Sequence, residues 1–508
     1  MEEGKKALPQ AGPELCAQNP ENSGESMKNG RIWLLLTLAA CVLLTDAVLS
    51  GVPGLGLAAS VWAWYGLSAR FALPERRRSR ESRLLLLANL LLGASFAVNS
   101  NAYFRIWNLL ALLVLLPIQL GALGGARIPW WRPAMLTERL GLFFRGALGN
   151  LPAAPRVLTG MGKGPARRAW TAAAGICAAA ALVLALLPVL SSADALFASL
   201  TDAFLAFCRA HLTAGLVRFL IGLCLTPFAF GLLEFLRRHP ETEQKVRRRP
   251  AADSLLFVLV LAALAALYLL FLAVQAAGIA GGAAFLARRG ISYAAWARSG
   301  FFQMVGVTAV NLAVLLSALA FGKREGRGWR AVKGLAALLT AESALLLVSA
   351  AWRMSLYVGV YGLSFKRVMT YWGMGMMAIF LWAALLALYK KEFSFCRAAG
   401  ATALAGWLAI NCLPVDTLVA KDSVDRCLSG ESAAVDLNYL TFSGLSYDTL
   451  RQLERLDGTR SVLAYDPDFW GQATSLDRML AQRREDARQE CARWESWNLS
   501  AWLAARGA

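Results

Sequence analysis

Long apolar runs constrain the fold of this chain more than any other feature of its sequence. Eleven runs approach or reach the length of about 20 residues that a helix needs to cross a bilayer. A helix in a soluble protein needs an apolar face only, so a soluble core does not call for such runs. With 57% apolar residues and a mean hydropathy of +0.48, the chain is predicted to be an all-α polytopic membrane helix bundle of about 11 spans.

The apolar runs and the polar stretches around them predict three domains. Residues 1–31 are polar and rich in Pro, Gly, Ser and Glu, which predicts a disordered cytoplasmic tail. Residues 32–413 form the multi-pass membrane domain, and residues 414–508 form a soluble helical domain. The predicted spans are 32–50, 54–73, 84–98, 106–124, 170–190, 212–236, 255–275, 301–321, 335–352, 368–389 and 398–413.

Basic residues divide the loops into two classes. Lys and Arg cluster after the second, fourth, sixth, eighth and tenth spans, whereas the other loops hold far fewer. Cytoplasmic loops of membrane proteins carry such an excess, so the net charge of +19 indicates topology and not nucleic-acid binding. We expect a cell (plasma or inner) membrane protein with a cytoplasmic N-terminus. An odd number of spans then puts the C-terminal domain outside the cytoplasm.

The C-terminal domain differs from the rest of the chain in charge. It holds 11 Lys and Arg against 15 Asp and Glu, a net charge of −4. Its pattern predicts helices over 416–427, over 447–456 after a capping Ser446, and over 476–494 after a capping Ser475. Few strand signals are present, so the domain is predicted to be a small helical cap. A disulfide between Cys427 and Cys491 stays open, because their spacing does not decide it.

Polar residues inside the spans are candidate functional residues, since a membrane interior accepts them only with protein partners or a water-filled cavity. Arg298 stands at the start of the eighth span, and Gln303 and Asn311 share one face within it. Glu342 lies in the middle of the ninth span and Arg218 in the sixth. An ion pair between the last two would let both stay charged. Alternatively, Arg218 extends to the interface and Glu342 is protonated.

A second candidate segment follows Glu342. Arg353, Tyr357 and Tyr361 recur at four-residue spacing on one helical face, and Lys366 and Arg367 follow a glycine break. The predicted topology puts these cations on the outer side, together with Arg298, so they require an anion. Two anions are open: the acidic C-terminal domain, or a phosphate-bearing lipid or substrate held by paired hydrogen bonds.

Motifs of soluble enzymes are absent from the sequence. Two histidines, His211 and His239, are too few for a histidine-based metal site, and no H-E-x-x-H or G-x-S-x-G motif occurs. The glycines around Lys163 do not have P-loop spacing. We therefore predict no cofactor and no metal, and assign no catalytic residue.

Three segments of the C-terminal half resemble a known family. They read Y-A-A-W-A-R-S-G-F-F-Q from Tyr293, R-M-S-L-Y through Y-G-L-S-F-K-R from Arg353, and V-D-T-L-V-A-K from Val415 through V-D-L-N-Y-L from Val435. Together they are similar to a bacterial multi-pass membrane protein family of unknown function, domain of unknown function 4173, related to 4153. Ala295, Ser423 and Cys427 depart from its pattern. The resemblance implies an integral membrane protein and supplies no activity.

Three functions remain open from the sequence. The first is transport or handling of an anionic lipid or substrate, with a centre formed by Glu342, Arg218, Gln303, Asn311 and the outer arginines. The second is a membrane-embedded transferase that acts on a lipid carrier at the outer face. The third is a membrane sensor or assembly factor whose C-terminal domain binds a partner and folds alone. The lipid bilayer is the expected partner in all three, with an anionic lipid or phosphate-bearing substrate in the first two.

Overall fold

The structure is a computed structural model of the full chain. It describes residues 20–49, 51–71, 80–124, 128–130, 132, 134–159, 214–237, 252–287, 301–430, 446–463 and 473–507, and isolated positions between 175 and 206. At 20–29, 71, 124, 159, 277–287, 301–304, 463 and 473 the backbone is described but the side chains are not.

Helices make up nearly all of the described chain, as an all-α bundle requires. The first group is α1 (Pro20–Leu49), α2 (Leu55–Phe71), α3 (Arg80–Val98), α4 (Ala102–Gly124), α5 (Ala134–Gly149), α6 (Ala153–Thr159) and α7 (Ala214–Arg237). The second is α8 (Ser254–Ala287), α9 (Phe301–Phe321), α10 (Gly326–Tyr361), α11 (Phe365–Tyr389), α12 (Phe395–Cys412) and α13 (Val415–Leu428). The C-terminal segment continues with a 3₁₀ turn (Tyr447–Thr449), α14 (Leu450–Leu453), β1 (Ser461–Leu463), β2 (Ala473–Ser475), α15 (Leu476–Ala492) and α16 (Leu499–Arg506).

The described residues contain seven helices that are long and apolar enough to cross a membrane, and eight if the bent pair α12–α13 is one span. The predicted count of eleven is therefore not confirmed. Helix α2 has only 17 residues, and most of the predicted span 170–190 lies outside the described residues. Helix α1 begins at Pro20, ahead of the predicted boundary at residue 31. Residues 1–19 lie outside the described part, and the three-domain division stays a prediction.

The chain forms two compact units, and the first comprises residues 1–42 and 145–235. In it, α7 runs very close to α1: a Cβ atom on Gly222 would lie 2.7 Å from the Val42 side chain. The Asn150 side chain donates a hydrogen bond to the Gly231 carbonyl oxygen over 3.0 Å. Small residues on α7 thus allow the close backbone approach that holds membrane helices together.

The second unit comprises residues 43–144 and 236–508, and α2, α3 and α4 form one of its layers. Leu57, Tyr65, Leu92, Phe96 and Leu112 make a buried apolar cluster between these helices. The Trp62 indole donates to the Leu90 carbonyl oxygen over 3.1 Å. Close to the start of α3 and the end of α4, the buried Arg139 of α5 forms an ion pair with Glu81 and donates to the Ile118 carbonyl oxygen.

Helices α8 to α11 form the second layer of this unit. Their shared core includes Leu261 and Tyr268 of α8, Leu315 of α9, Leu339 of α10 and Leu381 of α11. Helix α10 has 36 residues and ends at Gly362, whose φ of +73° is readily reached by glycine. Ser364 then accepts a hydrogen bond from the backbone N–H of Arg367 and starts α11. This short break reverses the chain and packs α11 against α10.

The C-terminal segment shares an apolar core with the helix bundle. The cluster joins Phe104 of α4, Phe365 of α11 and Ile410 of α12 to Val419 of α13 and Leu476 of α15. The Leu55 N–H donates to the Trp497 carbonyl oxygen over 2.8 Å, which brings the start of α2 against the same segment. Burial of this mixed core stabilises the C-terminal segment through its contacts with the bundle.

Buried polar contacts fix the position of the C-terminal segment. Asp416 accepts a hydrogen bond from Asn101 over 2.7 Å and from the backbone N–H of Ser446 over 2.9 Å. Glu490 forms an ion pair with Arg105 over 3.0 Å and accepts hydrogen bonds from Tyr447 and Asn498. Because a hydrogen bond depends on distance and angle, these contacts select one arrangement where the apolar core alone would tolerate several.

Two local predictions for the C-terminal segment are confirmed and one is not. Helix α13 matches the prediction for 416–427, and Ser475 caps α15 by accepting from the N–H of Arg478. The helix predicted over 447–456 is instead a 3₁₀ turn followed by the single turn of α14, and Ser446 makes no side-chain cap there. The antiparallel pair of β1 and β2 was not predicted. Cys427 and Cys491 are both free thiols, so the disulfide left open above is absent.

Close packing at Gly54 gives a test of this docking. A Cβ atom there would lie 2.4 Å from the backbone of Ser496, so Gly54→Ala should push the C-terminal segment away from α2. Overpacking of this kind costs about 1–3 kcal/mol. We expect a lower melting temperature in detergent and faster proteolysis at the C-terminus. Gly66→Ala on α2 is the control, because nothing lies within 4 Å of its added Cβ; equal behaviour of the two variants would contradict the docking.

Candidate functional site

One face of α10 carries the polar groups that lie deepest in the second layer. Leu339, Ser343, Leu346, Ala350 and Arg353 are all buried and recur at three- and four-residue spacing. This face packs against α8 and α9. The candidate site is therefore the polar part of the α8–α9–α10 interface, which we call the α10 polar face: Glu342, Ser343, Ser349 and Arg353, with Gln275 of α8 and Asn311 of α9.

Asn311 and Ser343 join α9 to α10. The Asn311 side-chain amide donates to the Ser343 hydroxyl oxygen over 2.8 Å, and this hydroxyl donates to the Leu339 carbonyl oxygen over 2.7 Å. Both residues are fully buried. The side-chain oxygen of Asn311 is buried and has no hydrogen-bond partner among the described residues. Asn311 was predicted from its place inside an apolar run, and the structure puts it in the helix interface.

Gln275 and Arg353 join α8 to α10. The Gln275 side-chain oxygen accepts a hydrogen bond from the Ser349 hydroxyl over 2.8 Å and from the Arg353 guanidinium over 3.1 Å. Arg353 is only 5% exposed. The sequence indicated Arg353 but not Gln275, which stands at the end of the predicted seventh span. A glutamine near a span end is common, so no sequence signal distinguished it.

Glu342 lies beside Ser343 on α10 and is 2% exposed. Neither of its carboxyl oxygens has a hydrogen-bond partner within the ranges that the structure describes. Its proposed ion-pair partner, Arg218, lies on α7 within the first unit, so that pair stays a prediction. An uncompensated carboxyl group inside a membrane domain is costly when charged.

Tyr357 and Tyr361 lie together at the end of α10, as their four-residue spacing predicted, and Arg367 of α11 joins them. The rings of Tyr357 and Tyr361 have their centroids 4.6 Å apart, and the Arg367 guanidinium lies 4.4 Å from the centre of the Tyr357 ring. Arg367 also donates to the carbonyl oxygens of Tyr361 and Gly362. A cation at a helix C-terminus is stabilised by the last carbonyl groups. Arg367 therefore has a structural role at the end of α10.

The same helix end is bound by the C-terminal segment. Arg426 of α13 donates to the Gly359 carbonyl oxygen over 2.8 Å, and Asp422 accepts from the N–H of Leu363 over 2.7 Å. Asp422 also pairs with Arg426. Three acidic residues of the C-terminal segment thus bind groups of the helix bundle: Asp416 binds Asn101, Asp422 binds the Leu363 N–H, and Glu490 binds Arg105.

Burial shifts the ionisation of two further groups in this segment. It raises the pKa of the Asp448 carboxyl, against the opposing effect of hydrogen bonds from Ser500 and Ser446. It also raises the pKa of the Tyr447 phenol, beside the Glu490 carboxylate. These groups line a cavity of about 440 Å³ together with Asn99, Thr417 and Arg451.

Two of the predicted residues fall outside this description. Arg298 lies outside the described residues altogether. Gln303 belongs to the first turn of α9, but its side chain is not described. The α10 polar face therefore brings together Asn311, Glu342 and Arg353 of the predicted set, and Tyr357, Tyr361 and Arg367 form a separate group at the helix end.

The buried acceptor at Gln275 gives a prediction for the site. Gln275→Leu removes the acceptor of a hydrogen bond from a guanidinium, worth about 1.5–3 kcal/mol, whereas Asn311→Leu removes a neutral bond worth about 0.5–1.5 kcal/mol. Ser343 keeps its bond to the Leu339 carbonyl in the second variant. We expect Gln275→Leu to lower the melting temperature in detergent more than Asn311→Leu. The reverse order would show that Gln275 does not support Arg353.

Comparison with known proteins adds a family and no activity. The family model described as a domain of unknown function, DUF4153, matches residues 86–456. These residues include α10, α13, and Asn101 and Arg105 at the start of α4. No curated protein matches the chain, and no solved structure matches it.

Proposed function

We propose, starting from a chain that belongs to the DUF4153 family of unknown function, that this multi-pass membrane protein transports a phosphate-bearing anion in a step linked to protonation. The observation that carries the proposal is Glu342, a buried carboxyl group with no hydrogen-bond partner in the described residues. Ionisable residues inside membrane domains are rare and mark proton relays and substrate paths.

Arg353 is the proposed anion-binding residue. A guanidinium binds phosphate through paired hydrogen bonds and keeps its charge where an ammonium group loses it. The Gln275 side-chain oxygen accepts a hydrogen bond from Arg353 and is itself held by the Ser349 hydroxyl, which fixes the direction of the Arg353 charge before a substrate arrives. Pre-arranged groups of this kind lower the entropic cost of binding.

Glu342 and Arg353 lie at two separate positions, here called levels, along the axis of α10. They are eleven residues apart in the sequence, which is about 16 Å along an α-helix. They are therefore too far apart to neutralise each other directly. Protonation at one level and anion binding at the other can be linked through movement of α10 against α8 and α9, because both levels belong to the same rigid helix.

The proposal places the protein in the cell membrane with a cytoplasmic N-terminus, which the distribution of basic residues favours.

The two other functions that the sequence left open have less support. The sensor or assembly-factor hypothesis expects a C-terminal domain that folds alone, whereas Phe104 and Phe365 of the bundle belong to the core of that segment. A lipid-carrier transferase stays open, but no described group of carboxylates in the α10 polar face favours it.

Reconstitution of the full-length protein tests the proposal. Proteoliposomes that contain a trapped pH-sensitive dye are exposed to inorganic phosphate or glycerol 3-phosphate. We expect the lumen of parent vesicles to acidify as the anion enters with a proton. Glu342→Gln should abolish the signal because it removes the proton-binding group. Glu325→Gln should retain it, since Glu325 is exposed and its side chain makes no capping bond at the start of the same helix.

Two results would contradict the proposal. If parent vesicles show no acidification and no uptake of either labelled anion, transport of these phosphate compounds is wrong. If uptake occurs but Glu342→Gln acidifies as fast as the parent, the protonation role of Glu342 is wrong. Loss of acidification in both glutamine variants would point to unfolding, which the melting temperatures of the two variants separate from a loss of coupling.

A further inference from the structure

We propose a binding site for the headgroup of an anionic phospholipid at the starts of α8 and α10, on the side opposite to the C-terminal segment. A cavity of about 760 Å³ opens there. Its walls come from the start of α8, from the connection between α9 and α10, and from the start of α10. They are Asp253, Ser254, Leu255 and Val258, then Gly322, Lys323, Arg324 and Glu325, then Arg327, Gly328 and Ala331. This site shares no residue with the α10 polar face and does not rest on the transport proposal.

Backbone contacts hold the two walls of the cavity together. The Ala252 N–H donates to the Phe321 carbonyl oxygen over 2.8 Å, and the Lys323 N–H donates to the Ala252 carbonyl oxygen. The Ser254 hydroxyl donates to the Lys323 carbonyl oxygen over 2.9 Å. Three hydrogen bonds thus connect the start of α8 to the segment before α10. The shape of the cavity is therefore fixed by hydrogen bonds between its two walls, and it is not a gap between two unconnected loops.

The charges in the cavity favour an anion. Lys323, Arg324 and Arg327 line it, and each is exposed. Of the two acidic residues, Asp253 accepts a hydrogen bond from the N–H of Leu255 and is engaged at the start of α8. The other, Glu325, precedes α10 without making a side-chain cap. Three basic groups thus face two acidic ones around one concave surface, and of the three Arg324 also donates to the Leu319 carbonyl oxygen over 2.8 Å.

The start of α10 adds to the positive potential of the cavity. A helix carries partial positive charge at its N-terminus, where acidic residues or bound anions are stabilising. Helix α10 has no acidic residue in its first turn and carries Arg327 there instead. Basic residues at this end are unfavourable, and an anion bound there would offset that cost in addition to the carboxylate of Glu325 just before the helix. Gly326 has a φ of +77° with open space around it, so a phosphate group can approach the first backbone N–H groups.

The surface next to the cavity favours a lipid as the source of that phosphate. Leu255 lines the cavity and is 61% exposed, and Leu259, one turn further along α8, is equally exposed. Both lie in a helix that is apolar enough to span a membrane. An acyl chain can follow this ridge while its phosphate reaches Lys323 and Arg327. Basic pockets between membrane helices bind anionic headgroups in this way.

Native mass spectrometry of the full chain in a neutral detergent tests this site. The probes are phosphatidylglycerol, phosphatidylcholine with the same acyl chains, and soluble glycerol 3-phosphate. We expect the parent to retain phosphatidylglycerol at least about tenfold more strongly than phosphatidylcholine, since each Lys or Arg contributes to anionic-lipid binding. Lys323→Gln/Arg327→Gln should weaken phosphatidylglycerol retention by about 10- to 30-fold. Lys390→Gln/Lys391→Gln is the control, because it removes two exposed charges that do not line the cavity.

The outcomes separate the site from general surface charge. Equal losses in the two double variants would overturn the proposal, since any pair of basic residues would then suffice. Displacement of phosphatidylglycerol by an equal concentration of glycerol 3-phosphate would overturn the lipid assignment, because the apolar ridge would contribute nothing. If Lys323→Gln/Arg327→Gln is poorly folded, Leu255→Ser provides the second test: it keeps every charge and should weaken lipid retention without affecting glycerol 3-phosphate.

Discussion

The cost of burying polar groups in an apolar membrane interior shapes the second unit of this protein. Helix α10 carries Ser343, Ser349 and Arg353 on one buried face, and each of them has a partner on α8, on α9 or on its own preceding turn. These contacts restrict how the three helices rotate and slide against one another. Glu342 lies on the same helix and is the exception, since its carboxyl oxygens have no partner in the described chain. The Asn311 side-chain oxygen also lacks a partner in the described residues, but Glu342 is ionisable, and an ionisable group inside a membrane domain is the stronger functional indication of the two.

The C-terminal segment completes the structure at the other end of α10. Arg367 and Arg426 bind the last carbonyl groups of that helix, and Asp422 binds the next free N–H. Asp416 and Glu490 connect the same segment to α4 through Asn101 and Arg105. Because charged and hydrogen-bonded groups on both sides are buried together, removing either side leaves unpaired groups on the other. The segment is therefore held against the bundle by paired groups on both sides.

Hydropathy was sufficient to predict the membrane class and most of the helices, because a span must be apolar over nearly its whole length. Helices α3, α4, α7 and α8 to α12 correspond to predicted spans. The partners of the polar residues were not predictable, since a pattern along one helix does not say which helix faces it. Asn311 and Arg353 were predicted because polar residues are unusual inside an apolar run. Gln275 was not predicted, because a polar residue at the end of a span is not unusual. The pairs Asn101–Asp416 and Arg105–Glu490 were not predicted, because their members lie hundreds of residues apart in the sequence. The 3₁₀ turn after Ser446 shows the same limit, because Asp416 takes up the Ser446 N–H.

The central claim is that Glu342 is a carboxyl group that exchanges a proton within an apolar interior. A hydrophobic carbodiimide reacts with protonated carboxyl groups in such surroundings, and peptide mass spectrometry locates the product. We predict modification of Glu342 that is stronger at about pH 6 than at about pH 9, with little modification of the exposed Glu325 just before the same helix, because a carboxyl group in water is already ionised well below neutral pH. Absence of the product on Glu342 at both pH values, or modification of Glu342 and Glu325 to the same extent, would contradict the claim.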